Sequence, residues 1–248
     1  MLAPLSVQGA TYYVAPTGND GNPGTMTQPF ASFAKAQTAA AAGDTVYFRG
    51  GTYAYTSGTS RCSSGTAKIS GVVLDKSGAA ALRINYWAFD GEKPVFDFAG
   101  IKDSCRVKGF GVSASWIHMK GFEIKGVPQN NGLNHESWGV WNAGSNNIFE
   151  QLDIHHNMGA GLFIENGADN LVLNCDSHHN YDPMTENGAG QSGDGFGAHV
   201  DDSRGTGNVF RGCRAWWNSD DGYDLINAYA PVIIENSWAW YHGYLPGT

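Results

Sequence analysis

The chain has 248 residues and a formal net charge of −8, from 15 basic and 23 acidic side chains. Only 15% of its residues are charged, and its 34 glycines are about twice ordinary usage. The scattered basic residues exclude a nucleic-acid stripe, no apolar run is long enough to span a bilayer, and so many glycines point to turns instead of long helices.

In chain order, "MLAPLSVQGA" (1–10) is read as the remnant of a secretory leader, although no basic segment precedes it. Residues 11–53 are expected to form an N-terminal cap. Within them "QPFASFAKAQTAAAAGD" (28–44) predicts a short helix, with Pro29 near its first turn, Phe30, Phe33 and Ala34 on one face, and Gly43 just past its end. "DTVYFRGGTY" (44–53) and "ALRINYWAFD" (81–90) predict strands at turn-rich spacing.

From residue 118 the sequence repeats. "HMKGFEIKG", "IFEQLDIHHN", "LVLNCDSHHN", "VFRGCRAWWN" and "IIENSWAWYH" align on Phe122, Leu152, Cys175, Cys213 and Ser237, with steps of 30, 23, 38 and 24 residues. Two steps near 23 suggest one turn of a solenoid, and the longer steps suggest the same turn carrying a loop. Asn157, Asn180 and Asn218, followed by His242, recur at the end of the repeat, where stacked Asn side chains can hydrogen-bond up and down a ladder. A second strand set, "WGVWNAG", "AGLFIENG", "DGFGAHV" and "DGYDLIN", aligns on Gly139, Gly161, Gly195 and Gly222. Alternation then turns Val140, Leu162, Phe196 and Tyr223 inward, followed by Asn142, Ile164, Ala198 and Leu225. It turns Trp141, Phe163, Gly197 and Asp224 outward, followed by Ala143, Glu165, His199 and Ile226. The expected fold is all-β: a right-handed parallel β-helix with a short N-terminal capping helix, one domain over 1–248. "AWYHGYLPGT" stops after a repeat with no cap, so the chain is expected to be truncated at that end.

Four cysteines (Cys62, Cys105, Cys175, Cys213) show no C-x-x-C pair, which argues against zinc and leaves disulfides and buried thiols both open. The acidic residues are more informative. Asp194 and Asp221 each precede an aligned glycine on adjacent coils, about 4.8 Å apart. Asp220 is beside Asp221, and Asp224 points outward three residues later. No Lys or Arg lies in those two strands. Four hard oxygen donors suit Ca2+ better than Mg2+, which keeps more of its own water. Asx-turns at a coil corner explain one or two of these aspartates, but not four in register.

"GDGFGAHV" with "GTGNVFRGCRAWWNSDDGYDLIN", and "NYDP" before them, resembles polysaccharide lyase family 9, the pectate lyase-like β-helices. "YYVAPTGNDGNPGTMTQPFASFAKAQTAAAAGDTVYFRGGTY" (12–53) is similar to the N-terminal cap of many β-helix polysaccharide enzymes. The first match is specific; the second indicates fold more than activity, and 54–136 match only loosely. The resemblance implies a secreted or periplasmic, monomeric enzyme that cleaves pectate or a related uronic-acid polymer by β-elimination. It also implies a catalytic Ca2+ on Asp194, Asp220, Asp221 and Asp224.

The family's base is a lysine in a G-N-G-F-K-like motif on the coil after D-D-G-x-D, and nothing through Thr248 matches it. On this reading the 248 residues carry the metal site without the base. His199 stands where relatives often carry lysine, and could accept a proton, bind substrate or simply pack on the surface. Trp141 and Phe163, in the outward column leading to Asp224, are candidates to line the groove by stacking on sugar rings. The pairs His155–His156 and His178–His179 read as surface and ladder residues, not metal ligands. Two other functions fit the same fold: a glycoside hydrolase with an aspartate pair as acid and base, and a non-catalytic carbohydrate-binding solenoid.

Overall fold

The computed structural model describes residues 9–59, 67–130, 136–184, 188–200 and 205–246. The first eight residues of the leader-like start, and Cys62, lie outside them. Among the described residues the strands form three parallel sheets. An eight-stranded sheet stacks Thr11–Val14, Thr45–Phe48, Ile84–Ala88, Ile117–Lys120, Ile148–Glu150, Leu171–Leu173, Asn208–Arg211 and Val232–Glu235. A seven-stranded sheet runs from Gly51–Ala54 through Pro94–Asp97, Glu123–Lys125, Asp153–His155, Asp176–His178 and Arg214–Trp216 to Trp238–Trp240. A six-stranded sheet runs from Lys68–Leu74 through Arg106–Val112, Ser137–Asn142, Gly159–Glu165 and Phe196–His199 to Tyr223–Asp224. Each strand inside a sheet pairs with its counterpart one coil before and one coil after. The result is a right-handed parallel β-helix, in which no coil can hide its inner face without its neighbours.

The repeat is this coil. Its aligned residues follow a corner held in the left-handed region, at Gly121, Gln151, Asn174, Gly212 and Asn236. That corner turns Phe122, Leu152, Cys175 and Cys213 into the core. In the six-stranded sheet Val140, Leu162, Phe196 and Tyr223 are direct cross-strand partners, as the alternation requires. The glycines before them form a stacked column of close approaches: a Cβ on Gly139 would lie 2.6 Å from the Gly161 carbonyl oxygen, and one on Gly161 2.7 Å from that of Gly195.

The asparagine ladder forms. Asn180 Oδ1 accepts from the Asn157 backbone and side chain at 3.1 Å, and Asn218 Oδ1 does the same for Asn180 at 3.1 and 3.0 Å. A second ladder at another corner, Asn147–Asn170–Asn208, repeats the steps of 23 and 38 residues. His242, the fourth member suggested by sequence, brings an imidazole in place of the amide and packs its ring against Gly222.

The capping helix spans Phe33–Ala39, shorter than the sequence implies. Ser32 is its N-cap, accepting from the Lys35 N–H at 3.0 Å, so Pro29 lies before the helix and not in its first turn. Phe30 forms a bridge with Val14 instead of a helical turn, and Ala34 is exposed. The buried face is Phe33 and Ala36, with Phe33 packed on Phe48 and Tyr86 at ring-centroid distances of 4.6 and 4.8 Å. Cys175 and Cys213 are buried free thiols, and Cys105 is disulfide-bonded. No helix among the described residues is long and apolar enough to cross a membrane.

Candidate functional site

The outer face of the six-stranded sheet carries a groove of about 410 Å3, with Asp194, Asp220, Asp221, Asp224 and His199 at one end and Lys68 and Arg106 at the other. Strand pairing builds the acidic end. Pairing of Phe196 with Tyr223 and Gly197 with Asp224 brings the two coils into the register that stacks Asp194 on Asp221. Asp194, Asp220 and Asp221 each place one carboxylate oxygen within 4.8 Å of the others. Asp194 is 5% exposed, and its Oδ1 accepts from the Asp221 N–H at 3.1 Å.

The fourth aspartate lies beside this triad and has hydrogen-bond partners of its own. Asp224 Oδ2 is 2.9 Å from His199 Nε2, and its Oδ1 accepts from the Ile226 N–H at 2.9 Å. The electrostatics follow this geometry. Burial, then the charges of Asp224, Asp220 and Asp221, push the Asp194 carboxyl well above the usual range. Burial and the neighbouring Asp221, Asp182 and Asp224 raise Asp220 to about 6. Burial also acts to raise Asp224, but its hydrogen bonds from His199 and Ile226 outweigh that and hold it below the usual value.

Among the described residues no lysine or arginine forms an ion pair with Asp194, Asp220 or Asp221. Mutually repelling carboxylate oxygens, from buried Asp194, half-buried Asp220 and exposed Asp221, with no protein cation beside them fit a hard divalent ion such as Ca2+. A second acidic group, Glu123, Asp153 and His155, lies on the seven-stranded sheet. There the Lys93 ammonium is 2.6 Å from Glu123 and 3.2 Å from Asp153, so part of the charge is already offset by a protein cation.

Two expected groove residues have distinct environments. Phe163 is buried: its ring lies where a Cβ on Gly197 would be, and packs edge-on against His199 at 4.4 Å. It supports the imidazole and still contributes to the groove lining, with little of its surface exposed. Trp141 is half-buried, with the Lys108 ammonium 3.1 Å from its ring centroid. Trp138, which the sequence reading did not single out, lines the groove with Lys68 and Arg106 over its ring. Its signal was available, since it precedes Gly139 as Asp194 precedes Gly195.

The histidine pairs lie on the seven-stranded sheet and its adjoining corner, away from the groove. His155, His178, Trp216 and Trp240 stack in sequence at 4.9, 4.2 and 5.2 Å, and His156 stacks on His179 at 5.0 Å. They are rungs of an aromatic ladder.

A family model described as "Pel9A-like, right handed beta helix region" matches residues 12–248. Pectate lyase L of Dickeya chrysanthemi is 38% identical over 236 residues, covering 94% of this chain and 51% of that protein. Among solved structures, a rhamnogalacturonan lyase superposes with a TM-score of 0.88 at 39% identity, over 97% of this chain and 59% of that one. The crystal structure of pectate lyase Pel9A gives 0.77 at 34% identity, over 96% and 56%. The chain thus spans about half the length of the curated relatives it matches.

Proposed function

Because the chain belongs to the Pel9A-like right-handed β-helix family, we propose that it is part of a Ca2+-dependent, secreted polysaccharide lyase that cleaves pectate or a related uronic-acid polymer by β-elimination. The observation that carries this reading is the convergence of the Asp194, Asp220 and Asp221 oxygens, with Asp224 alongside, at one end of a groove lined with aromatic and basic side chains.

In this reaction the C5 proton, α to the carboxylate, passes to a base. The C5–H electron pair becomes the C4–C5 double bond, and the C4–O4 bond breaks with O4 keeping its pair and gaining a proton. When bound, Ca2+ supplies positive charge beside the sugar carboxylate, where negative charge builds up in the transition state. The chain's own residues hold the geometry. Asp194, Asp220 and Asp221 provide the oxygen donors, with the Asp224 charge beside them. His199, held by Asp224 and backed by Phe163, is placed to orient a sugar or take a proton within hydrogen-bond reach.

Asp220 near 6 and Asp224 below its usual value also resemble the split pair of an acid and a base in a hydrolase. A product absorbing in the ultraviolet from its 4,5-double bond separates the two, because hydrolysis makes no double bond. The metal assignment is tested by calorimetry: Asp221→Ala is expected to lose Ca2+ binding with the fold kept. Unchanged Ca2+ affinity in that variant sinks the assignment.

A further inference from the structure

The groove changes character along its length. The residues just before the glycine column are Ser70, Lys108, Trp138 and Ala160 on paired strands, and the same register leads on to Asp194 and Asp221. One face therefore runs from cations through aromatics to carboxylates, about 4.8 Å per strand. Lys108 and Asp194 are three strands apart, about 14 Å, so Lys108 cannot serve a sugar held at the acidic cluster.

The basic end has its own construction. Besides Lys108 on Trp141, the Lys68 ammonium is 5.2 and 5.5 Å from the rings of Trp138 and Trp141, and the Arg106 guanidinium is 4.3 Å from Trp138. Arg106 is paired with Glu136. Among the described residues neither lysine has a carboxylate partner within ion-pair distance. Glu165 is the acid that acts on both, and the two ammonium groups repel each other. Burial, Lys68 and Arg106 together bring Lys108 down to about 8 against the pull of Glu165. Partial burial and mutual repulsion make these two unpaired cations costly despite their indole contacts, and an anion would relieve that cost. The indoles suit the apolar face of a pyranose ring. Lys68, Arg106 and Trp138 line the groove that also holds the acidic cluster, and Lys108 and Trp141 adjoin them through the Lys68 ammonium, which lies over both rings.

We propose that Lys108 and Lys68, seated on Trp141 and Trp138, form a metal-independent subsite for a sugar carboxylate. That carboxylate belongs to the same polyanionic chain whose other end lies at the aspartate cluster. This rests on the lyase reading above and adds to it a requirement for an unesterified uronic acid several residues from the metal.

The test is calorimetric binding of oligogalacturonates by the chain, comparing a trimer with an octamer, each with Ca2+ and with EDTA. Wild type is expected to bind the octamer more tightly than the trimer, and to keep salt-sensitive binding of the octamer in EDTA. Lys108→Met with Lys68→Met is expected to weaken octamer binding about tenfold, leave trimer affinity in Ca2+ unchanged, and abolish binding in EDTA. Lys108→Arg is expected to restore most of the loss, which a packing defect would not allow. A fully methyl-esterified octamer is expected to be indifferent to the lysines. Octamer binding by the double variant equal to wild type, while Asp221→Ala loses its Ca2+-dependent part, refutes the subsite and leaves the lyase reading standing. Failure of wild type to bind either oligomer with or without Ca2+ removes that reading, and the subsite with it.

Discussion

Asp194→Asn should stabilise the protein in EDTA and destabilise it, relative to wild type, in Ca2+. The oxygens of Asp194, Asp220 and Asp221 lie within 4.8 Å of one another. Two unit charges at that distance repel by roughly 3.5 kcal/mol at an effective dielectric constant of about 20. Asp221 is exposed and Asp220 half-buried, so solvent reduces this to about 1–2 kcal/mol per pair. Asp194 meets two such neighbours but holds its proton more readily than an ordinary carboxyl, which relieves part of the strain. Removing its charge should therefore gain about 2 kcal/mol. The amide retains an Oδ1 to accept the Asp221 N–H, so the turn is kept. For a chain of this size that gain raises the unfolding midpoint by about 4–8 °C. Ca2+ at about 1,000 times its dissociation constant should stabilise wild type by about 4 kcal/mol, and the variant by far less. Differential scanning calorimetry at pH 8, in EDTA and in Ca2+, should show the order of midpoints reverse. A variant melting below wild type in EDTA, or gaining as much from Ca2+, refutes the reasoning.

Burial first, then the neighbouring histidines, lowers His179 to about 4 and also depresses His155 and His156. Their folded values lie below the unfolded one, so stability is present above about pH 6.5 and is lost as pH falls toward 4. Melting between pH 7 and 5 should show this slope, and His179→Gln should flatten it. Asn180→Ala removes the acceptor for two Asn157 donors in the buried ladder and should cost about 2–4 kcal/mol in a urea titration. Gly161→Ala drives a Cβ to 2.0 Å from Ser177 Oγ and 2.7 Å from the Gly195 oxygen. It should cost at least about 3 kcal/mol by the same titration, whereas Gly91→Ala, which meets nothing, should cost mainly through its positive φ.

The coil, its register and the inner and outer columns were legible in the residues, because a parallel β-helix imposes period two within strands and one glycine, asparagine or apolar residue per turn. Asp194, Asp220, Asp221 and Asp224 could be gathered for the same reason: register on adjacent coils is a statement about sequence alignment. What the alignment could not give was side-chain direction at close quarters. Tertiary packing paired Asp224 with His199. It buried Phe163 because Gly197 leaves room for its ring, and it moved the capping helix to Ser32 because Phe30 is taken into a bridge. The basic end of the groove was also hidden, since Lys68, Arg106 and Lys108 lie in the stretch with the weakest repeat. Sequence fixes which strand a residue stands on. Which neighbour its side chain meets depends on the space and charge that coils tens of residues away leave around it.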